Sequence, residues 1–492
     1  MYILGIDVGT SGCKAAVIEE NGSIRRTAYR EYAVLSPRTG WLELDAEQVW
    51  QNVIACIAEC CADGLGKHIS ALAVSTQGEA IIPVAGDGTP LDHAIVTFDT
   101  RNQEDCHEFA SQVDPKEIMR QTGAPIHPMF SLTKILWFRR QRPEIYRRAW
   151  KFLCFGEYIA MRLGAEPCID YTMAARTMAF DIHTMTWSAT ILSVCGLPRE
   201  KLPDPVAAGT PIGTACSADA LQAGLSPGTR ILAGAHDQTC CALGAGVYES
   251  GVAMDSLGTT ESILCVRENA VFTREMMAGN LPCYPYPVSG RYAYLAFLSC
   301  CGSVLRWYAS ELLGASSTFA ELDGLCDSVE SPTGLFVLPH FAGSGTPYLD
   351  PRSRGVIAGL TLSTPREAVY KAIMEGTAYE MSLNLELLER CGVSISQFRS
   401  IGGGSKSTVW MQIKADVTGR PITAMETKEA GCLGAAMLAY AGESAYETLP
   451  VLMQRWVKIQ RVYEPRPQKH QQYAQEAVRY AQLYTLSKAM NP

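Results

Sequence analysis

Positive charge is scarce in this sequence. Its 42 Lys and Arg are outnumbered by 50 Asp and Glu, giving a net charge of −8. A nucleic-acid partner selects for a basic face and is disfavoured here. No run of about 18 uncharged apolar residues occurs, so no segment reads as a membrane span. The N-terminus, Met1-Tyr2-Ile3-Leu4-Gly5-Ile6-Asp7, has no basic region and no small-residue cleavage site, so it does not read as a signal peptide. These absences predict a soluble, cytoplasmic protein. The 18 cysteines form no Cys-x-x-Cys pair and no zinc-like spacing with histidine. They are read as small buried hydrophobes of a reduced chain, including Cys240 and Cys241. Two nucleotide signatures are also missing. No Gly-x-x-x-x-Gly-Lys-Ser/Thr excludes a P-loop, and no Gly-x-Gly-x-x-Gly follows the first strand, against a Rossmann dinucleotide site.

What is present is one short pattern, twice. Gly5-Ile6-Asp7-Val8-Gly9-Thr10-Ser11 opens the chain, and Met254-Asp255-Ser256-Leu257-Gly258-Thr259-Thr260-Glu261 follows past the midpoint. Each copy places an aspartate at the end of an apolar strand, then a glycine and two hydroxyl residues, then a second apolar run. Glycine lets the backbone approach a phosphate, and hydroxyls and free N–H groups can bond its oxygens. Two such turns can grip one triphosphate from both sides, and duplication implies two related halves.

The chain of 492 residues suits two or three domains. Strands are predicted over 2–7 and 13–18, with Asn21-Gly22 turning into a third over 24–28. A helix follows Asp45 as N-cap with Gln48 three residues on, and Val49, Val53, Ile54 and Ile57 form its apolar stripe. Residues 71–75 and 81–84 read as strands and 131–141 as a helix. A strand over 231–234 leads into Ala235-His236-Asp237-Gln238. The second half restarts with strands 252–255 and 261–266, a helix over about 366–390, and a strand 398–401. That strand runs into Gly402-Gly403-Gly404-Ser405 and a helix over 406–417; another helix opens near Glu429. Beyond about 445 a helical tail is expected. The pattern predicts an α/β fold of two similar domains around a cleft, 1–247 and 248–492. The glycines near 244–251 are candidate hinges.

Phosphoryl transfer to a hydroxyl needs bound nucleotide, an in-line acceptor and a carboxylate for the proton. Asp237, just past a buried strand near the domain boundary, is the candidate base; its simpler role is to cap the helix beginning at Gln238. Asp7 is the candidate magnesium ligand, since hard cations prefer carboxylate and water oxygens. Asp255, its internal counterpart, is read as structural. The glycine run at 402–405 offers backbone N–H groups to a phosphate or an adenosine edge.

With these residues in place, the chain resembles the FGGY carbohydrate kinases of the actin/hexokinase/Hsp70 ATPase superfamily over roughly residues 2–445. The resemblance rests on Gly5–Ser11, Asp99-Thr100-Arg101, Phe130-Ser131-Leu132-Thr133-Lys134 with Trp137, and Ala175-Arg176-Thr177-Met178. It continues through Ala233–Gln238, Ser256–Thr260, Gly355–Leu360, and Gly402–Lys406 with Trp410 and Asp416. Ala368 departs from the family's second signature, where a polar residue is usual.

The resemblance implies two actin-like, ribonuclease H-like domains around a nucleotide and sugar cleft, with ATP and Mg2+ as cofactors. Asp237 would take the acceptor's proton. Gly9, Thr10, Ser11, Lys14, Gly258, Thr259 and Thr260 would meet the phosphates. Gly403, Gly404 and Ser405 would lie along the adenosine, with Glu429–Gly434 completing that pocket. Gln77, Glu79, Asp99, Arg101 and Gln238, with Asp237, would face the sugar; a surface turn of solvated charges is the plainer account of Arg101. Glycerol kinases of this family carry an Arg-Glu pair, a Trp and a Tyr around their substrate. Here Glu79 is kept, but Gly78, Thr97 and Met129 replace the others. A roomier pocket follows, suited to a ketose or polyol of five or six carbons, xylulose-like rather than glycerol. His340 is left as structural. A nucleotide-binding switch or a sugar sensor of the same superfamily is the rival reading, and a homodimer is one assembly open to the chain.

Overall fold

A computed structural model describes residues 1–312, 319–326, 328–444 and 448–489. Two mixed sheets organise it. The first runs Pro211–Thr214, Arg230–His236, Ile69–Thr76, Tyr2–Val8, Gly12–Glu19, Ile24–Glu31 in spatial order. The second runs Cys283–Pro285, Tyr292–Leu298, Glu261–Arg267, Gly251–Leu257, Ile395–Gly402, Ile422–Met425, Ile459–Tyr463. In each, an antiparallel hairpin carries the Asp/Gly/Thr turn, and its first strand pairs on the other side with a parallel strand. The registers match between halves: Asp7 lies opposite Ser75, and Asp255 opposite Ser400. The duplication read from sequence is therefore a duplication of architecture, the α/β actin-like fold.

Strand alternation explains the layers, since successive side chains leave opposite faces. In the first sheet Leu4, Ile6 and Val8 pack with Val49, Trp50 and Val53 of the helix Ala46–Cys61. Asp45 caps that helix as expected, accepting from the backbone of Glu47 and Gln48. Ile3, Ala71 and Ala73 face the other way, into a core that includes Leu433 and Met437 of the helix Ala430–Glu443. The same core takes in Met254 and Leu264 of the second sheet, so one apolar layer joins the halves. The second sheet's other face packs Ala253, Leu257 and Ile263 against the long helix Arg366–Arg390.

Three features go beyond the sequence expectations or differ from them. The helix Ala430–Glu443, assigned to the second unit, packs on strands of the first sheet and on the helix Asp237–Gly244. Glycine makes that approach possible: a Cβ on Gly434 would lie 1.9 Å from the Cys240 carbonyl oxygen, and one on Gly244 would lie 2.1 Å from that of Ala430. Gly244, offered as a hinge, is thus a packing residue. Second, the tail beyond about 445 is not wholly helical. Residues 445–447 lie outside the described residues, and helices Leu449–Trp456, Pro467–Tyr480 and Leu483–Lys488 are interrupted by the edge strand Ile459–Tyr463. Third, the glycine run leads into a short 3-10 turn, Gly404–Lys406, and the helix begins only at Thr408, capped by Ser407. Among the described residues no cysteine is joined in a disulfide.

Candidate active site

The strand Arg230–His236 delivers Asp237 to the first turn of the helix Asp237–Gly244. Asp237 does not cap that helix but begins it. One of its oxygens is anchored: Oδ1 accepts the Gln238 backbone N–H at 2.6 Å and lies 3.2 Å from His236 Nε2. Among the described residues no donor reaches Oδ2. A quarter of the side chain remains open, at 26% exposure. Burial pushes the carboxyl up to about 8, the Asp7 and Glu79 carboxylates push the same way, and the Gln238 bond and Arg176 oppose them.

Asp237 lines a cleft of about 180 Å³ to which both halves contribute. Thr10, Gln77, Glu79, Arg176 and Gln238 come from the first, Thr260, Asn280 and Phe297 from the second. The cleft thus places one residue of each Gly-Thr hairpin, Thr10 and Thr260, beside the candidate base. Glu79 sits at φ 62°, a left-handed conformation that costs a non-glycine residue about 1 kcal/mol or more. Its surroundings hold it there. Arg176 pairs with its carboxylate, Thr97 Oγ1 donates to Oε2 at 3.0 Å, and Ser131 and the buried Lys134 donate to its carbonyl. Lys134 Nζ also donates to the Met129 carbonyl at 2.7 Å, tying two walls together. Gln77 lines the cleft, yet its amide is spent on the first hairpin: Nε2 donates to the Gly9 carbonyl and Oε1 accepts from Thr10.

Asp99 and Arg101 do not reach the cleft, correcting the expectation that they face the sugar. The Arg101 side chain is buried, its guanidinium bonded to Asp99 and Glu43 and stacked 3.9 Å from the centre of the Trp41 ring. Asp99 also accepts from the Leu42 backbone. The pair fixes a loop behind the site. The roominess inferred at Gly78 is corrected too. His236 and Arg176 occupy that space, a Cβ at Gly78 falling 2.8 Å from His236 Nε2 and 3.6 Å from Arg176 Cγ.

Asp7 lies at the end of its strand, where Ser75 Oγ donates to Oδ1 at 2.7 Å. Burial raises its pKa, Ser75 and Lys14 counter this, and Glu429 reinforces it. Asp255 has the same serine bond, from Ser400 at 2.7 Å, but Lys414 neutralises it inside the core. It is structural, as its sequence context suggested. Among the described residues no three His, Cys, Asp or Glu converge as a metal cage. One carboxylate, with water and substrate phosphates, is nonetheless a donor set that magnesium accepts.

A larger cleft of about 1250 Å³ is lined by Lys14, Gly402, Gly403, Ser405, Lys406 and Glu429, among others. Lys14 pairs with Glu429 at 2.7 Å across the two halves. The hairpin turns close on themselves, Gly9 N–H to Gly12 and Gly258 N–H to Thr260. Gly404 packs on Leu257 and Trp410, against the second hairpin's strand. Arg306 donates to Thr259 Oγ1 at 2.7 Å from a helix docked on the second turn. Arg306, Arg176, His236 and Tyr284 escaped the sequence reading as functional side chains. Arg176 and His236 lay in segments already singled out; Arg306 and Tyr284 did not.

Comparison with known proteins agrees with this geometry. The model of the FGGY family of carbohydrate kinases, N-terminal domain, matches residues 2–244, and its C-terminal domain matches residues 253–442. The chain is 26% identical over 492 residues to the xylulose kinase of Bacillus subtilis, covering 100% of this chain and 98% of that one. It is 30% identical over 477 residues to the glycerol kinase of Azotobacter vinelandii, covering 94% and 93%. The crystal structure of the xylulose kinase from Rhodospirillum rubrum superposes with a TM-score of 0.90 at 25% identity, covering 100% and 99%. Matched in both halves, this chain belongs to the FGGY family of carbohydrate kinases.

Proposed function

We propose that this carbohydrate kinase transfers the γ-phosphate of ATP to a hydroxyl of an uncharged five- or six-carbon ketose or polyol, with Asp237 as the base. One observation carries the reading: Asp237 has an anchored oxygen and a free one, and it lies in a cleft shared by both phosphate hairpins. A carboxylate positioned in this way can take the acceptor's proton as the bond to phosphorus forms. Magnesium, when bound, neutralises phosphate charge and fixes its orientation; Asp7 would hold it. Gly9, Thr10, Ser11, Gly258, Thr259 and Thr260 would cradle the phosphates, and Gly403 to Ser405 the adenosine, with Lys14 nearby. Gln238 and Arg176 are the polar groups offered to the sugar; Gln77 and Glu79 shape the wall behind them. The two units divide near residues 245–250, and their closure would exclude water.

ATP consumption with magnesium across ketoses, aldoses, polyols and glycerol tests the reading. One neutral five- or six-carbon compound should stimulate turnover most, and Asp237→Ala should abolish it. Glycerol as the best acceptor would overturn the substrate class. Full turnover in Asp237→Ala would overturn the base.

A further inference from the structure

His236 precedes Asp237 and is buried, yet its ring is incompletely used. Nε2 lies 3.2 Å from Asp237 Oδ1, while Nδ1 has no partner among the described residues. Its place is prepared from three sides. Its backbone N–H donates to Thr172 Oγ1 at 2.8 Å, and Thr172 in turn donates to Asp170. Tyr284, from the second half, meets the imidazole edge-on with ring centres 5.9 Å apart. Gly78 leaves it room, since any Cβ there would come within 2.8 Å of Nε2.

We infer that His236 is a positioning residue for the phosphoryl acceptor's base: from 3.2 Å its Nε2–H comes to donate to Asp237 Oδ1 when substrate fills the cleft, and so turns the free Oδ2 toward the substrate hydroxyl. The inference rests on the reading of Asp237 as base. Burial and the Arg176 charge hold the imidazole neutral, so the 3.2 Å approach is not an ion pair; it lacks hydrogen-bond alignment in the substrate-free site and tightens into a hydrogen bond as substrate binds. A neutral imidazole with its proton on Nε2 has no proton on Nδ1, and Nδ1 is the atom left without a partner. With the Gln238 N–H, Oδ1 then receives two donors and is removed from competition for the proton. Gly78 and His236 act as a unit, the absence of one side chain admitting the other.

The test compares His236→Leu, which removes the donor, with His236→Gln, whose amide N–H reaches the place of Nε2. Losing a hydrogen bond to a charged group should lower kcat about 10- to 100-fold, with the sugar KM nearly unchanged. The acid limb of the kcat/KM profile should move to higher pH, because a donor on Oδ1 favours the carboxylate. His236→Gln should recover most of the loss, and Gly78→Ala, which displaces the ring, should reproduce it. Asp7, Glu79, Arg176, Tyr284, Cys240 and Cys241 also face Asp237 and are untouched by these variants. Equal kcat losses in Leu and Gln, a loss confined to KM, or no loss in Leu would each overturn the inference. Asp237→Asn separates the two claims: its full turnover would remove the base itself, whereas its inactivity beside a fully active His236→Leu would remove only the positioning role.

Discussion

The ammonium of Lys414 lies 3.2 Å from the carboxylate of Asp255 and 2.6 Å from that of Glu261, and none of the three side chains reaches water. Asp7 occupies the equivalent register in the first half and, among the described residues, pairs with no cation; Lys14, its cross-strand neighbour, is bound to Glu429. One repeat has sealed its aspartate into the core, and the other has left its own partly exposed at the end of its strand.

Lys414→Met should therefore destabilise the protein by about 3–5 kcal/mol, because it strands two buried carboxylates. Urea denaturation followed by circular dichroism measures this. A loss under about 1 kcal/mol would show that the carboxylates find protons or water at little cost.

The Asp237 carboxyl, pushed up to about 8, must be ionised to accept a proton. Activity should fall as pH drops through that value and rise above it, with kcat/KM reporting the free enzyme. In the ternary complex a divalent cation held by Asp7 would add positive charge, so the limb in kcat should lie at lower pH than the limb in kcat/KM. Coincident limbs would argue that no cation binds near Asp7.

Charge in the small cleft discriminates among substrates. Arg176 is neutralised by Glu79, which leaves the Asp237 carboxyl and, beyond it, Asp7. A sugar acid should show a kcat/KM about tenfold or more below that of the neutral polyol of the same length, since like charges brought together in an apolar setting cost several kcal/mol. Steady-state rates on an aldonate and its alditol decide the matter; equal values would mean that Arg176 is freed from Glu79 when substrate binds.

The C-terminal helices are pegged by tyrosines. Tyr473 OH donates to Glu375 at 2.7 Å and Tyr480 OH to Glu380 at 2.9 Å, both carboxylates on the long helix Arg366–Arg390. Tyr480→Phe should cost about 1–3 kcal/mol by leaving a buried carboxylate short of a donor. Thermal unfolding should show the loss, while the sugar KM stays as it was.

How much of this was legible in the sequence depends on range. The hairpins, the Asp45 cap and the helices 131–141 and 366–390 announce themselves through local periodicity and turn chemistry. The place of Asp237 at the end of its strand is legible because strand-end aspartates near a repeat boundary are conspicuous. Arg176 had no comparable signal as a cleft residue: its partner Glu79 lies 97 residues away, and only folding brings them together. Asp99 and Arg101 read as sugar-facing or, failing that, as a surface turn, since nothing local reveals Trp41 stacked on the guanidinium. The strand Ile459–Tyr463 was missed because an edge strand with four of its five residues exposed has no apolar alternation to display.

The helix Ala430–Glu443 also bears on how the chain comes to be folded. It covers a face of the first sheet, but it is synthesised only after nearly all of the second sheet. The first half therefore leaves the ribosome with bare apolar strands, and it cannot close its own core by waiting. A chain ending at residue 247 should expose that face and bind a hydrophobic dye, and extension through residue 443 should quench the signal. For this protein, completion of the early half is timed by the late one, and any pause between them prolongs the interval in which aggregation competes with folding.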